Sequence, residues 1–295
     1  MTQLRHTREA KKPSILAYVT AFPTVDGWRR SRSLVEFWDG AQRRALELGY
    51  TLEEWWVRQP GMTERRFCEI LRTRGIHGMI VAPLPYDADP LHLEWSGFAT
   101  AAIAYSLSTP NLNRASNDHF GSMNVALNEL TALGYRRIGL AIVEESDPRV
   151  RQHWTAGMLA YQQHVPMAER VPTFLGSGPI ARPFANWFHE HQPHAVLSPR
   201  GEVLQAIRDL GFRVPQDVGF SNLAISPGED EMAGVNQNSD LVGVAAVDLV
   251  DGQLRRNEWG VPRHPRTLLI PGEWVPGATV RDLRATPRRV RARVS

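Results

Sequence analysis

The sequence predicts an α/β fold in which parallel sheets are covered by helices on both faces. Short apolar runs of strand length alternate with segments whose apolar residues recur every three or four positions. Strands joined by helices pair in parallel, because right-handed crossovers place the helices on the sheet faces. A polar, turn-rich stretch at 106–117 interrupts this alternation, and the same alternation then restarts. The break indicates two similar lobes rather than one continuous sheet.

The first half is expected to contain four strands and two helices. Ser14 to Thr20 is an apolar run of strand length. The next segment has one apolar face at helical spacing, formed by Leu34, Phe37, Trp38, Ala41, Ala45 and Leu48. Gly49 ends this helix. The remaining predicted elements are a strand at 51–57, a helix at 63–74 ended by Gly75, and strands at 78–82 and 100–105.

The second half repeats the pattern after the polar stretch. Asp118 is expected to cap a helix that runs to Leu133 and ends at Gly134. The further predicted strands are 137–143, 171–175, 195–198 and 217–223, and the further helices are 153–164, 181–191 and 202–210.

Composition excludes several protein classes. The chain has 295 residues, of which 42% are hydrophobic and 22% charged, and this balance is typical of a globular protein with room for two lobes. Disordered, collagen-like and disulfide-rich proteins have different compositions. Because no apolar run reaches the roughly 20 residues needed to cross a bilayer, and the N-terminus is polar and basic, we expect no membrane contact and a cytoplasmic protein. The single cysteine, Cys68, is expected to pack as a small buried residue in a helix.

Positive charge is concentrated at the two ends of the chain. Residues 1–12 carry a net charge of +3 and residues 281–295 carry +5, which leaves the body at −5. Basic ends could contact nucleic acid or a membrane, or they could be solvated tails. The second interpretation is favoured for 281–295, which we expect to be disordered, because that segment has no aromatic residue for base stacking.

Five motifs, taken together, resemble the lactose/galactose-repressor family of bacterial transcription regulators. They occur in the family's order and spacing, over about residues 13–280. The motifs are NDHFG at 117–121, LTALGYRRIGL at 130–140, VPQDVGF at 214–220, VNQNSDLVGVAAV at 235–247 and RTLLIPGE at 266–273.

The resemblance implies a fold like that of the type I periplasmic sugar-binding proteins. Two α/β lobes would hold a small-molecule effector in a cleft, and two copies would form a homodimer. The resemblance places the first lobe at 13–116 with 239–262, and the second at 117–238 with 263–280. Effector binding would be coupled to DNA binding through closure of the lobes.

A complete family member begins with a helix-turn-helix and a hinge helix that bind operator DNA. This chain starts where the hinge would end, so residues 1–12 form a basic leader that resembles a hinge remnant. Operator DNA would then be contacted only through an N-terminal domain that the chain lacks. The chain could be a fragment, its start site could be assigned too late, or it could be a natural stand-alone sensor.

Two positions depart from the family's effector contacts. Trp154 stands three residues before Gly157, where the family usually has an arginine, and Ser221 stands in VGFSN where the family usually has an acidic residue. Both customary charges are therefore replaced by neutral groups. This predicts a neutral ligand, a sugar or a glycoside, with Trp154 stacking on it.

Seven other residues are candidate ligand contacts. Four come from the loop after the first strand and from the helix that follows it, two from the end of a second-lobe strand, and one from the 235–247 motif. They are Phe22, Trp28, Ser33, Phe37, Ser198, Arg200 and Gln237. Arg200 could restore a positive charge. Core packing explains the aromatic residues equally well at Phe37, whereas the polar neighbours of Trp154 favour a ligand-facing ring.

Three other motifs are weaker. Gly176–Ala181 matches a dinucleotide-binding loop, but no acidic residue follows at the expected distance and Pro179 removes one amide. His189, His191 and His194 lack the spacing of metal ligands on one helix face, and the acidic turn at 227–231 lacks the spacing of a calcium loop. We therefore expect no metal and no cofactor.

No catalytic motif is recognisable, so the sequence predicts a regulator core and not an enzyme. Two alternatives remain open. One is a stand-alone cytoplasmic sugar-binding protein. The other is a nucleotide-dependent enzyme that uses the loop at 176–181.

Overall fold

The structure is a computed structural model that describes residues 14–86, 88–144, 146–176, 182–226, 228 and 231–284. The basic leader at 1–12, most of the basic tail, residues 177–181 of the nucleotide-loop motif and most of the acidic turn at 227–231 lie outside the described residues. Within the described part of the chain, no helix combines the length and apolarity needed to cross a membrane.

Twelve strands and eight α-helices make up the described fold. The strands are β1 (Ser14–Thr20), β2 (Tyr50–Trp56), β3 (Gly78–Val81), β4 (Ala99–Ile103), β5 (Asn113–Asn117), β6 (Ile138–Val143), β7 (Phe174–Gly176), β8 (Ala195–Ser198), β9 (Gly219–Ile225), β10 (Gly234–Asn236), β11 (Thr267–Ile270) and β12 (Glu273–Val275). The helices are α1 (Arg32–Glu47), α2 (Glu64–Thr73), α3 (His119–Ala132), α4 (Ser146–Arg149), α5 (His153–Gln162), α6 (Arg182–His191), α7 (Glu202–Asp209) and α8 (Ser239–Arg256).

The strands form two six-stranded sheets. The first has the order β11-β5-β4-β3-β1-β2, and the second has the order β12-β10-β9-β8-β6-β7. Pairing is parallel from β2 to β5 and from β7 to β10, and β12 is antiparallel to β10. The predicted α/β class with two mostly parallel sheets is confirmed.

The described residues divide into two compact units. The first contains 14–115 and Asp240–Leu268, and the second contains Ser116–Ser239 and 269–284. The chain passes from the first unit to the second after residue 115 and returns after Ser239, and the family resemblance implied passages after 116 and 238.

The chain passes to the second unit again after Leu268, where the family resemblance implied a passage after 262. The reason is that the segment after α8 is bonded to the first unit. The amide of Gly260 donates to the carbonyl of Phe98 over 2.8 Å, and the amide of Arg266 donates to Oδ1 of Asn113 over 2.8 Å.

In the first unit, α1 and α8 pack with their backbones in contact. A Cβ atom at Gly40 would lie 1.8 Å from the carbonyl oxygen of Asp240, and one at Gly243 would lie 2.0 Å from that of Phe37. Only glycine fits at these two positions. The other face of the first sheet packs against α2, where Cys68 is fully buried and burial raises the pKa of its thiol.

β5 is a buried strand with a polar sequence, and the sequence did not predict it. All five of its residues are buried. Arg114 is 1% exposed, and its guanidinium donates to the carbonyls of Ala104 and Leu107. Because side chains such as Arg114 and Asn113 are bonded inside the fold, a segment that resembles a loop in sequence is stable as a buried strand. The strands β10, β11 and β12 and the helix α8 were not predicted either.

The second unit has a core on each face of its sheet. On one face, α3 and α5 cover a cluster that includes Leu140, Leu197 and Leu223. On the other face, α6 and α7 cover a cluster rich in aromatic rings, including Phe184, Trp187, Phe188 and Phe220.

Candidate functional site

Ligands of parallel α/β sheets bind beyond the carboxyl ends of the strands, where helix N-termini and strand ends converge. Three predicted residues lie at this edge in the second unit. Ser198 is the last residue of β8, Arg200 follows two positions later, and Gln237 directly follows β10. Ser221 lies within β9, beside Leu197 of β8 and therefore one residue from the end of β8.

Ser198 and Asn222 are neighbours in the register of β8 and β9, and both are buried. The hydroxyl of Ser198 accepts a hydrogen bond from the amide of Arg200 over 3.1 Å. Oδ1 of Asn222 accepts one from the amide of Ala224 over 2.9 Å. These bonds fix the backbone where the strands end. Asn222 was not predicted, although it directly follows Ser221 in the VGFSN motif.

Ser221 is fully buried on the sheet face that α3 and α5 cover. Its hydroxyl has no hydrogen-bond partner among the described residues. A buried hydroxyl without a partner costs free energy, so Ser221 retains its capacity to bond to a polar group that reaches it.

The side chain of Gln237 is used inside the fold. Its Nε2 donates to the carbonyl of Leu223 over 2.7 Å, and the main-chain carbonyl of Gln237 accepts from Nδ2 of Asn117 over 3.0 Å. The residue therefore ties the end of β10 to β9 and to β5. This leaves Oε1 as the part of the side chain that could contact a ligand.

Arg200 keeps part of its guanidinium exposed but pairs it with Glu202. The two groups are 3.1 Å apart, and the side chain of Arg200 is 42% exposed. An ion pair at this exposure contributes little to stability. The positive charge of Arg200 is therefore largely balanced locally.

Trp154 lies in the core, contrary to the expectation that few apolar residues surround it. Its side chain is 3% exposed and belongs to the cluster beneath α3 and α5. The polar residues around it in sequence precede α5, and the first turn of that helix directs the indole inward. In this conformation the ring has little open surface, and its stacking on a ligand stays a prediction.

Two residues at the start of α3 were missed. Asp118 caps this helix by accepting from the amide of Gly121 over 2.8 Å, so His119 and Phe120 form its first turn. The imidazole of His119 is buried, and burial, followed by the nearby His153, lowers its pKa to about 3. The ring of Phe120 is 39% exposed.

Phe120, not Trp154, is therefore an aromatic ring with open surface at this edge. A Cβ atom at Gly157 would lie 3.7 Å from Cδ2 of Phe120, which places the ring beside the first half of α5. The signal in the sequence was the NDHFG motif itself, in which Phe120 follows a capping residue.

In the first unit, Trp28 and Phe37 are packing residues. Trp28 is 2% exposed, donates from Nε1 to Glu54 over 2.7 Å and contacts the rings of Tyr18 and Trp38. Phe37 is 5% exposed. Both residues pack in the core of the first unit, and their ligand contacts stay predictions.

Phe22 and Ser33 retain accessible surface near the end of β1. Phe22 is half-buried, and its carbonyl accepts from Nε1 of Trp56 over 2.8 Å. Ser33 is half-buried, with its hydroxyl 3.2 Å from that of Ser31. Beside them Arg29 pairs with Glu54 over 2.6 Å.

The other motifs gain no support as sites. Across the described residues, no three His, Cys, Asp or Glu side chains are grouped so that they could hold a metal ion. Of the nucleotide-loop motif, only Gly176, the last residue of β7, is described.

The family model of the periplasmic binding protein-like domain matches residues 127–280, which is more than half of the chain. The chain belongs to this family. No curated protein sequence matches it.

Solved structures of other proteins are similar to this chain over both units. A complex of the transcriptional regulator CelR with cellobiose has a TM-score of 0.66 at 19% identity, covering 91% of this chain and 86% of that chain. A LacI transcriptional regulator from a Rhodococcus species has a TM-score of 0.63 at 19% identity, covering 91% and 98%. The Lac repressor bound to ONPG has a TM-score of 0.64 at 17% identity, covering 92% and 83%.

These structural similarities show that the chain has the fold of LacI-type regulators. The expected resemblance is confirmed at that level. The three relatives are transcription regulators and not enzymes.

Proposed function

We propose that this chain is the effector-binding and dimerisation core of a LacI-type transcription regulator, and that its effector is a small neutral carbohydrate. The observation that carries the proposal is the shared fold with regulators solved with cellobiose and with ONPG, over about nine tenths of the chain.

The carboxyl edge of the second sheet supports a neutral ligand. It carries the exposed ring of Phe120, and the hydroxyls of Ser198 and Ser221 and the neutral imidazole of His119 are buried at the same edge. Hydroxyl groups of a sugar can bond to such side chains, and its apolar face can pack on an aromatic ring. The guanidinium of Arg200 at this edge is already paired with Glu202, which makes it a weaker partner for a phosphate.

A homodimer is supported by an open surface of the first unit. A groove of about 560 Å³ runs along α1 and the edge strand β2. It is lined by Asp39, Gln42, Arg43, Leu46, Tyr50, Thr51 and Leu52. Leu46 is 76% exposed there, and edge strands present unpaired backbone groups that a second copy can cover.

Operator binding in this proposal belongs to an N-terminal helix-turn-helix domain. An in-frame helix-turn-helix encoded upstream in the genome supports the regulator. Its absence favours the stand-alone sugar-binding protein.

The effector is tested by a thermal-shift and calorimetry screen of neutral mono- and oligosaccharides, including cellobiose and glucose, against the chain. Binding to the native state stabilises it by RT ln(1 + [L]/Kd), about 2.7 kcal/mol at a hundredfold excess over Kd. Phe120→Ala is expected to weaken the binding of the active sugar. Leu159→Ala, at a leucine that is 53% exposed on α5, is the matched control and is expected to bind normally. Binding of a phosphorylated ligand that depends on Phe120, with no response to neutral sugars, contradicts the neutral effector.

A further inference from the structure

The first unit contains a second recess, at the amino edge of its sheet. Its volume is about 270 Å³, and the end of α8 and the segment after it form most of its lining. Asn113, the first residue of β5, lines it from the sheet. The amide of Gly260 bonds to Phe98, just before β4, and holds the segment against this edge. The recess is therefore separate from the carboxyl edges, where the effector is proposed to bind.

An exposed indole lines the recess. Trp259 is 43% exposed, which is high for so large an apolar side chain. Its Nε1 donates to Oδ1 of Asn257 over 2.9 Å, and the ring of His77 lies 6.0 Å away in an edge-on arrangement. The indole is thus held in place while much of its surface faces solvent.

Two arginines line the same recess, and one of them, Arg266, lies close enough to the carboxylate of Glu258 for their charges to attract. Arg263 and Arg266 are exposed, and within the described part of the chain neither guanidinium has a hydrogen bond or an ion pair. The carboxylate of Glu258, which also lines the recess, accepts instead from Arg256 over 2.8 and 3.0 Å. His264 adds a further ring nitrogen to the lining.

We propose that this recess binds a small organic phosphate, in which a phosphate monoester is carried on a sugar or base ring. A phosphate monoester carries about −1.5 to −2 charges at pH 7, which two guanidinium groups match and a carboxylate would not. The forked donors of arginine suit phosphate oxygens. The ring of the ligand would lie on the indole of Trp259. The volume suits a ligand of the size of a hexose phosphate or a mononucleotide.

A nucleic acid backbone fits the recess less well. It carries one negative charge per phosphate in a regular row and requires a row of cations along a surface. Here the cations surround a single concavity. Duplex DNA is therefore included in the test as an outcome against the proposal.

The test is calorimetry on the 295-residue chain with glucose 6-phosphate, AMP and inorganic phosphate, and with glucose as the neutral partner of the first. We expect both esters to bind and the Arg263→Ala/Arg266→Ala double variant to lose at least ~10-fold in affinity, because bonds from arginine to phosphate are charge-assisted. The double variant Arg66→Ala/Arg208→Ala removes the same charge from exposed arginines on α2 and α7 and is expected to bind both esters normally.

Trp259→Ala separates the two parts of the site. It is expected to weaken the binding of AMP and of glucose 6-phosphate and to leave the binding of inorganic phosphate unchanged. The substituted residues Trp259, Arg263 and Arg266 are exposed, so the variants are expected to fold, and thermal melting checks this. Equal affinity of the wild type and the Arg263→Ala/Arg266→Ala variant, no binding of either ester, or binding of duplex DNA alone overturns the proposal. If Phe120→Ala, and not the arginine variant, loses ester binding, the esters bind at the carboxyl edge of the second sheet. That result counts against this recess and against the neutral effector, so failures of the two proposals are distinguishable.

Discussion

The imidazole of His119 and the indole of Trp154 lie with their ring centroids 4.8 Å apart, and both side chains are buried. One residue opens α3 and the other lies in the first turn of α5. Their contact joins the two helices that cover one face of the second sheet. The start of each helix is therefore fixed by a packed aromatic pair.

Trp154→Ala is expected to lower the free energy of unfolding by about 3–5 kcal/mol, because it removes a fully packed indole and leaves a cavity. Urea denaturation measures this. Trp259→Ala, at an indole that is 43% exposed, is the control and is expected to cost less than about 1 kcal/mol. Normal stability together with loss of sugar binding in Trp154→Ala would instead show that the indole of Trp154 stacks on the ligand.

The stability of the chain is expected to fall below pH 6.5 because of His119. Its pKa is about 3 in the folded protein, lowered by burial and by His153, and about 6.5 in the unfolded chain. The unfolded state therefore takes up a proton first as the pH falls. Stability from this group is complete above pH ~6.5 and is lost progressively down to pH ~3, at up to about 1.4 kcal/mol per pH unit.

Urea denaturation at pH 7.5 and pH 5 checks this effect by comparing the wild type with His119→Phe. The wild type is expected to lose up to about 2 kcal/mol more than the variant over this interval. Equal losses in both proteins would show that His119 takes up its proton at its ordinary pKa.

Gly243→Ala and Gly252→Ala are expected to have opposite effects, although both lie in α8. A Cβ atom at 243 meets the carbonyl oxygen of Phe37 at 2.0 Å, so α1 and α8 must separate. We expect a loss of at least about 2 kcal/mol. A Cβ atom at 252 meets only the end of the Arg256 side chain, at 3.0 Å, and alanine is expected to stabilise the helix by up to about 1 kcal/mol. Thermal melting of both variants measures the difference.

Leu46→Glu is expected to convert the proposed dimer to a monomer. It places a charge in the groove of α1 and β2, where burying an unpaired carboxylate is unfavourable. Light scattering after gel filtration measures the mass. Leu159→Glu, at an exposed leucine outside the groove, is the control and is expected to remain dimeric. A dimeric Leu46→Glu protein would place the interface elsewhere.

Much of the fold could be predicted because apolar periodicity and capping residues are local signals. The strand at Ala195–Ser198 and the cap at Asp118 were predicted as observed. β5 was missed because its stability comes from bonds to residues remote in sequence, such as the one from Arg266 to Asn113. No local pattern encodes such partners.

The candidate site was predicted less well for the same reason. Ser198 and Arg200 lie at the edge of the sheet because the end of a strand can be recognised in the sequence. Whether an aromatic ring faces solvent or core depends on the neighbouring helices. Trp154 and Phe120 lie in the first turns of two helices, and both have polar neighbours in sequence, yet Trp154 is buried and Phe120 is exposed.

The buried arginine of β5 has a consequence for how this protein could diversify. Arg114 holds the segment after β4 through main-chain carbonyl groups, which every amino acid possesses. The exposed side chains of that segment, Ser108 and Thr109, can therefore be exchanged while its path is conserved, whereas Tyr105 and Leu107 are buried. Descendants of this gene could acquire new chemical preferences there by point substitution, without rebuilding the scaffold.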